Sequence, residues 1–285
     1  MSKLRIALVQ MLVGANKAQN LSTASNYIAK AKSQGAELVV LPECFNCPYG
    51  TSFFPEYAEP LKPGNASFDC MAEAARSNSV WLVAGSIPEE VITPDSEKKL
   101  FNSSMIFSPL GELVSVHRKI HLFRINTETV KFDEGEVLTG GDSPTVVPIS
   151  DGVSCGVGIC FDIRFPQLAL EYVRQGTSFL VYPGAFNVVT GPVHWELLAK
   201  ARAVDSQQFV VLCSPARDES ASYVAWGHSM VVDPWGTAIA EAGVGEEVIF
   251  ATLDLSTIAS TRQKVPVLKG TRTDLYAMEW NLARK

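Results

Sequence analysis

Long apolar runs are missing from this 285-residue chain. None approaches the roughly 18 consecutive apolar residues that a membrane-crossing helix needs. The opening MSKLRIALVQM holds an apolar run of about seven residues interrupted by Arg5, too short and too polar for a signal segment, and it reads as a strand. A basic patch is missing too. Lys and Arg total 24 against 30 Asp and Glu, a formal net charge of -6, and the cations are scattered. Nucleic acid and anionic membrane surfaces are therefore not expected partners. Gly/Ser or Pro linkers, low-complexity tracts and internal repeats are also lacking, so a single domain spanning 1–285 is expected. Without an export signal, the six cysteines (Cys44, Cys47, Cys70, Cys155, Cys160 and Cys213) read as free thiols, not as a disulfide framework. A cytoplasmic location follows, and a mitochondrial pool is compatible with it.

What the chain does hold is apolar content, 47% hydrophobic residues against 19% charged. That is enough for a sizeable core. Apolar, β-branched runs recur at 4–10, 37–43, 80–86, 103–108, 112–119, 145–149, 153–160, 178–184, 209–214, 228–234 and 246–255. Amphipathic helical patterns lie between several of them, near 18–34, 65–78, 166–175 and 192–207. Runs such as LVVL and FLVY are continuous, which suits strands covered on both faces. SPLGEL (108–113) and DPWGTA (233–238) read as hairpin turns. The fold class is α/β, and a four-layer α-β-β-α sandwich is one way to house so many strands. Residues 44–64, 87–100 and 120–144 read as loop insertions between strands, where binding and chemistry concentrate.

Ligands of open α/β sheets bind beyond the carboxyl ends of strands. At three such ends stands a chemically capable side chain: Glu43 after LVVLP, Lys119 after LVSVHR and Cys160 after CGVGI. Taken singly, each has an ordinary reading as a loop charge or a small buried hydrophobe. Together they supply a base, a cation and a thiol, the elements of nucleophilic attack on a carbonyl or nitrile carbon. Gly156 and Gly158 permit close backbone approach around Cys160, and a helix start after Pro166 is expected to lower the thiol pKa. Cys155, inside the same strand, reads as core packing.

LPECF (41–45), HRKIHLF (117–123) and GVGICFDIRFP (156–166) resemble the three signature segments of the nitrilase superfamily of carbon-nitrogen hydrolases, in order and spacing. The resemblance covers about 4–276. It implies the α-β-β-α sandwich and a Glu-Lys-Cys triad of Glu43, Lys119 and Cys160, with Glu134 of KFDEGEVLTGG as a second glutamate supporting the lysine. It implies no cofactor and no metal.

The segments 42–59, 182–205 and 213–236 are similar to the Nit-type omega-amidase branch, which implies hydrolysis of the terminal amide of α-ketoglutaramate or α-ketosuccinamate. On that resemblance Arg164 takes the substrate carboxylate, for which a guanidinium fork is suited, and Tyr49, the Phe186 backbone and Thr190 complete the pocket. Arg164 has an ordinary alternative, a pairing with Asp162. Cys47, Gly184 and Gln167 depart from the branch's usual FNSPY, YPSAF and RFPE forms. Other readings stay open: a nitrilase or N-carbamoyl amidohydrolase of the same superfamily, or an idle binding protein on the fold. The four histidines offer a His117/His121 metal pair or a Cys160–His194 dyad, both disfavoured because the HExxH carboxylate is lacking and His194 opens a helix. Cys44-x-x-Cys47 spells a redox motif but follows LPE and opens no helix. The expected partners are a small amide substrate and further copies of the chain, as a homodimer or higher homo-oligomer. The segment 268–285, with Leu275, Tyr276, Met278 and Trp280, reads either as a subunit contact or as cover for its own core.

Overall fold

The structure is a computed structural model that describes residues 2–128 and 131–279. In chain order it runs β1 (Lys3–Gln10), α1 (Lys17–Ser33), β2 (Leu38–Val40), α2 (Phe54–Tyr57), α3 (Ala66–Asn78), β3 (Trp81–Val83), β4 (Ile87–Ile92), β5 (Lys98–Phe107) and β6 (Leu113–Arg118). A small hairpin follows, β7 (Arg124–Asn126) and β8 (Lys131–Asp133), then β9 (Thr145–Ser150), β10 (Val153–Val157), α4 (Pro166–Arg174), β11 (Phe179–Pro183), α5 (Gly191–Ser206), β12 (Phe209–Cys213), β13 (Met230–Val232), β14 (Ala238–Glu241), β15 (Glu247–Asp254) and α6 (Ser256–Lys264).

Two sheets form the centre. One is ordered β15-β1-β2-β3-β5-β4 with β6 also on β5; the other is ordered β14-β13-β12-β11-β10-β9. In each, three strands run parallel, β1-β2-β3 and β10-β11-β12, and the flanking strands are antiparallel. Period-two alternation decides what each face meets. Leu4, Ile6 and Leu8 of β1 join Cys155, Val157, Val181 and Val211 in a core between the sheets. Ala7, Val9 and Val39 point outward under Leu21, Ile28 and Met71 of α1 and α3. On the second sheet, Leu180, Tyr182 and Val210 pack under Leu168, Tyr172, Trp195 and Ala199 of α4 and α5. These are the four expected layers, and the alternation explains why LVVL and FLVY are apolar at every position.

The helices start where the sequence provides caps. The Asn16 side chain accepts the Gln19 N–H at 3.1 Å at the head of α1, and Pro166 and Pro192 occupy the first turns of α4 and α5. The supposed loop at 87–100 is instead the edge strand β4 and the start of β5. Its Pro and two Glu residues hide the pattern, because Glu89 is buried and accepts from Ser103 at 2.6 Å and from Arg118 at 2.6 and 2.7 Å. Likewise the 120–144 stretch contains the β7–β8 hairpin. Gly156 and Gly158 make room for aromatic rings, not for a ligand: a Cβ there would lie 2.5 Å from the ring of Tyr172 or Tyr182. Among the described residues, no helix is long and apolar enough to cross a membrane.

Candidate active site

Glu43, Lys119 and Cys160 follow β2, β6 and β10 and converge at one end of the two sheets. The loop after β2 is braced from beside it. Cys44 has φ +52, and its N–H donates to Ser86 Oγ at 3.0 Å while the Phe45 N–H donates to the Ser86 carbonyl at 3.2 Å. Gly85 makes this possible. At φ +49 it sits so close to Pro42 that a Cβ would lie 2.0 Å from the Pro42 carbonyl oxygen. Cys160 opens a 3₁₀ turn, Cys160–Arg164, and itself adopts φ +46. A non-glycine residue in this region at a strand end marks strain held by its surroundings.

The charges form one cluster. Glu43 Oε1 accepts from Lys119 Nζ and from Asn102 Nδ2, each at 2.9 Å, and Oε2 accepts the Ala185 N–H at 2.8 Å. Lys119 also donates to Glu134 at 2.9 Å. Glu134 in turn accepts the Tyr49 hydroxyl at 2.7 Å and the Phe123 N–H at 2.6 Å. Glu43, Lys119 and Glu134 are buried, so Glu134 is no surface charge. Burial disfavours the Lys119 ammonium, but Glu134 and Glu43 outweigh it and hold its pKa well above the ordinary lysine value. Burial raises the Glu43 carboxyl; Lys119 works against this and Glu134 adds to it.

Burial, then the Glu43 carboxylate, also push the Cys160 thiol well above its usual pKa, against the pull of Lys119. This corrects the sequence expectation of a thiol lowered by a helix start: desolvation beside a carboxylate outweighs one short turn. The resting group is a thiol beside the Glu43 carboxyl, and such a thiol becomes a strong nucleophile only where a base takes its proton.

Cys160 faces a cavity of about 180 Å³ whose walls include Phe161, Arg164, Phe186, Thr190 and Tyr223. The Arg164 guanidinium lies over the rings of Phe161 at 5.5 Å and Phe186 at 4.7 Å, and Nη1 is 3.3 Å from His194 Nδ1. Its Nε is buried without a hydrogen-bond partner, and burial lowers its pKa. It does not pair with Asp162, whose carboxylate belongs to His117 and His121.

Phe186 and Thr190 thus share the cavity with the thiol and Arg164. Tyr49 does not line it. Its hydroxyl is committed to Glu134, and its ring borders an adjoining cavity that shares the Ala185 and Tyr223 walls and is also lined by Glu43, Cys44 and Cys47. Gly184 sits behind Cys160, where a Cβ would stand 3.3 Å from its Cα.

His194 contacts Arg164 instead of Cys160. No group of three His, Cys, Asp or Glu side chains among the described residues is placed to hold a metal. Sequence reasoning missed Asn102, the Ala185 N–H and Tyr223, whose hydroxyl donates to the Ala185 carbonyl at 2.5 Å. Asn102 left no distinct signal, because β5 also holds Lys98, Lys99, Ser103 and Ser104; the Ala185 N–H is backbone and leaves none.

A profile of the carbon-nitrogen hydrolase family matches residues 5–263. The chain is 50% identical over 279 residues to omega-amidase NIT2 of Danio rerio, covering 98% of each protein, and 48% identical over 282 residues to omega-amidase NIT2 of Mus musculus, covering 98% of this chain and 99% of that one. The crystal structure of Saccharomyces cerevisiae Nit3, a member of branch 10 of the nitrilase superfamily, is 45% identical with a TM-score of 0.86, over 95% of this chain and 97% of that chain. The amidase from Nesterenkonia sp., at 22% identity and a TM-score of 0.76, shares the fold. With this profile match, and relatives of such identity over nearly its whole length, the chain belongs to the carbon-nitrogen hydrolase family.

Proposed function

We propose that this protein is an omega-amidase that hydrolyses the terminal amide of short dicarboxylate monoamides, α-ketoglutaramate and α-ketosuccinamate. One observation carries the reading: a guanidinium with a buried, unpartnered Nε faces the same small cavity as the thiol. A half-buried cation with no carboxylate partner is costly, and a substrate carboxylate relieves that cost through charge-assisted hydrogen bonds. The two omega-amidase relatives support the same reaction.

The chemistry follows from the cluster. Glu43 takes the Cys160 proton as sulfur attacks the amide carbon, and the Lys119 ammonium stabilises the oxyanion. The C–N bond breaks as Glu43 returns the proton to nitrogen, and ammonia leaves a thioester. Water then gives Glu43 a proton as it attacks that carbon, the C–S bond breaks, and sulfur recovers its proton from Glu43. Glu134 keeps Lys119 charged and in place.

The test is Arg164→Met with α-ketoglutaramate and with a short monoamide that has no carboxylate. Hydrogen bonds to a charged group are worth about 1.5–3 kcal/mol, so kcat/KM for α-ketoglutaramate falls about 10- to 150-fold. The uncharged amide is affected less than threefold. Equal losses on both would overturn the substrate assignment.

A homo-oligomer belongs to the same proposal. Leu275, Tyr276 and Met278 are 68%, 61% and 38% exposed, so this part of the tail does not cover its own core; Trp280 lies outside the described residues. The six cysteines stand free, which suits the cytoplasm.

A further inference from the structure

Asp162 lies two residues beyond the nucleophile and takes no part in the steps above, yet its carboxylate is fully buried and accepts four donors. Oδ2 accepts the Ile159 N–H at 2.9 Å and His117 Nε2 at 3.1 Å. Oδ1 accepts the His121 N–H at 2.9 Å and His121 Nδ1 at 2.8 Å. An ionised carboxylate only accepts, so His117 carries a proton on Nε2 and His121 on Nδ1. The remaining His117 nitrogen, Nδ1, is 3.1 Å from Thr145 Oγ1, and the His121 ring stacks on Phe165 at 3.6 Å.

These partners fall on both sides of the reaction centre. Ile159 immediately precedes Cys160, and the Asp162 N–H closes the same turn onto the Ile159 carbonyl at 3.0 Å. His117 and His121 flank Lys119 at two residues either way. One carboxylate therefore holds the strained nucleophile turn and the lysine segment together, across the gap between two strands of different sheets.

We propose that Asp162 is a positioning residue for the hydrolysis: with His117 and His121 it sets where Cys160 Sγ stands relative to Lys119 and Glu43. The inference rests on Cys160 being the nucleophile. It differs from a purely structural bracket in what it predicts, because misplacing a reacting group by about 1 Å costs about 100-fold in rate.

Two variants test it. Asp162→Asn keeps the size of the side chain but sets an NH2 against the histidine donors, while His121→Phe keeps the stack on Phe165 and the backbone N–H and removes only the Nδ1 donor. The readouts are kcat and KM for α-ketoglutaramate, the rate of Cys160 alkylation by iodoacetamide, and the melting temperature. Asp162→Asn is expected to lower kcat about 100-fold and His121→Phe about 3- to 10-fold, with KM within twofold and alkylation falling in parallel. A lower melting temperature with kcat and alkylation within twofold of wild type overturns the proposal. If Asp162→Asn does not fold, His121→Phe decides by the same rates. Full activity in Cys160→Ala would instead overturn the nucleophile assignment, so the two failures are distinct.

Discussion

Two buried ionic networks lie side by side in this protein and are drawn from the same two segments. Lys119 and Cys160 belong to one, with Glu43 and Glu134; His117, His121 and Asp162 belong to the other. They differ in how well their charges are matched. The first sets two carboxylates against one ammonium, and the Glu43 carboxyl is pushed up. Burial would push Asp162 up too, but hydrogen bonds from His117 and His121 reverse that and hold it well below the usual carboxylate range. The linkage signs are therefore opposite. Asp162 supplies stability that is complete above the unfolded aspartate pKa of about 3.9 and is lost only as pH falls through its lower folded value. Glu43 has a folded pKa above its unfolded value of about 4.3, so its stabilising form is the protonated one and is lost as pH rises through that window. At neutral pH one network supports the fold, and the other is held under strain by it.

The comparison breaks most visibly at Glu43. Glu43→Gln removes the proposed base and is expected to lower kcat about 10²- to 10⁴-fold. It also removes the surplus negative charge, so the variant melts above wild type, a gain of about 0.5–2 kcal/mol of the kind seen when a strained site is neutralised. Assays of ammonia release and calorimetry on one preparation check both, and a lower melting temperature would contradict the assigned strain. Asp162→Ala is the mirror case. Leaving two histidine donors and two backbone N–H groups without their carboxylate costs about 3–5 kcal/mol by denaturant unfolding at pH 7, and the deficit narrows as the wild type is acidified.

Acid also sharpens the contrast through rate. The proposed mechanism needs Glu43 ionised, so kcat/KM is expected to fall on the acid side with a midpoint above the ordinary glutamate value of about 4.3. Asn102 donates to that carboxylate and favours its charged form. Asn102→Leu is expected to move the midpoint up by about one unit, equivalent to about 1.4 kcal/mol. A midpoint that does not move would mean that Lys119 and the Ala185 N–H alone fix the base.

Much of this was legible because strand ends concentrate chemistry. All eleven apolar runs became strands, and four helices began within a residue of their caps or prolines. The triad stood out because Glu43, Lys119 and Cys160 are each the first reactive side chain after such a run. What stayed hidden depended on long-range pairing. IPEEVI did not read as a strand because its buried glutamate is satisfied by Arg118 and Ser103 from elsewhere in the chain. Cys155 and Cys160 were told apart correctly as core and turn, yet the pKa of Cys160 was misjudged, since no local sequence records that a carboxylate 117 positions earlier abuts the sulfur. Asp162 was weighed only as a partner for Arg164; its true partners flank the lysine.

Tyr49 gives the smallest expected effect and separates the two ways of reading one residue. As a wall of the substrate pocket it would contribute to KM. In the structure its hydroxyl donates to Glu134 and its ring packs behind Tyr223, outside the walls of the Cys160 cavity. Tyr49→Phe keeps the ring among Phe54, Phe132 and Tyr223 and deletes one donor to a carboxylate that also holds Lys119. A bond to a carboxylate is worth about 1.5–3 kcal/mol to the fold, but Tyr49 acts on the rate only through Glu134 and Lys119; with about half of it reaching the transition state, kcat drops about 3- to 12-fold with KM within twofold. A rise in KM at constant kcat would move Tyr49 back to the substrate and leave Lys119 as the only partner of Glu134 that matters to the rate. The expected split instead makes Tyr49 part of the strained network, three groups away from the sulfur, where it acts by fixing the carboxylate that keeps the lysine charged.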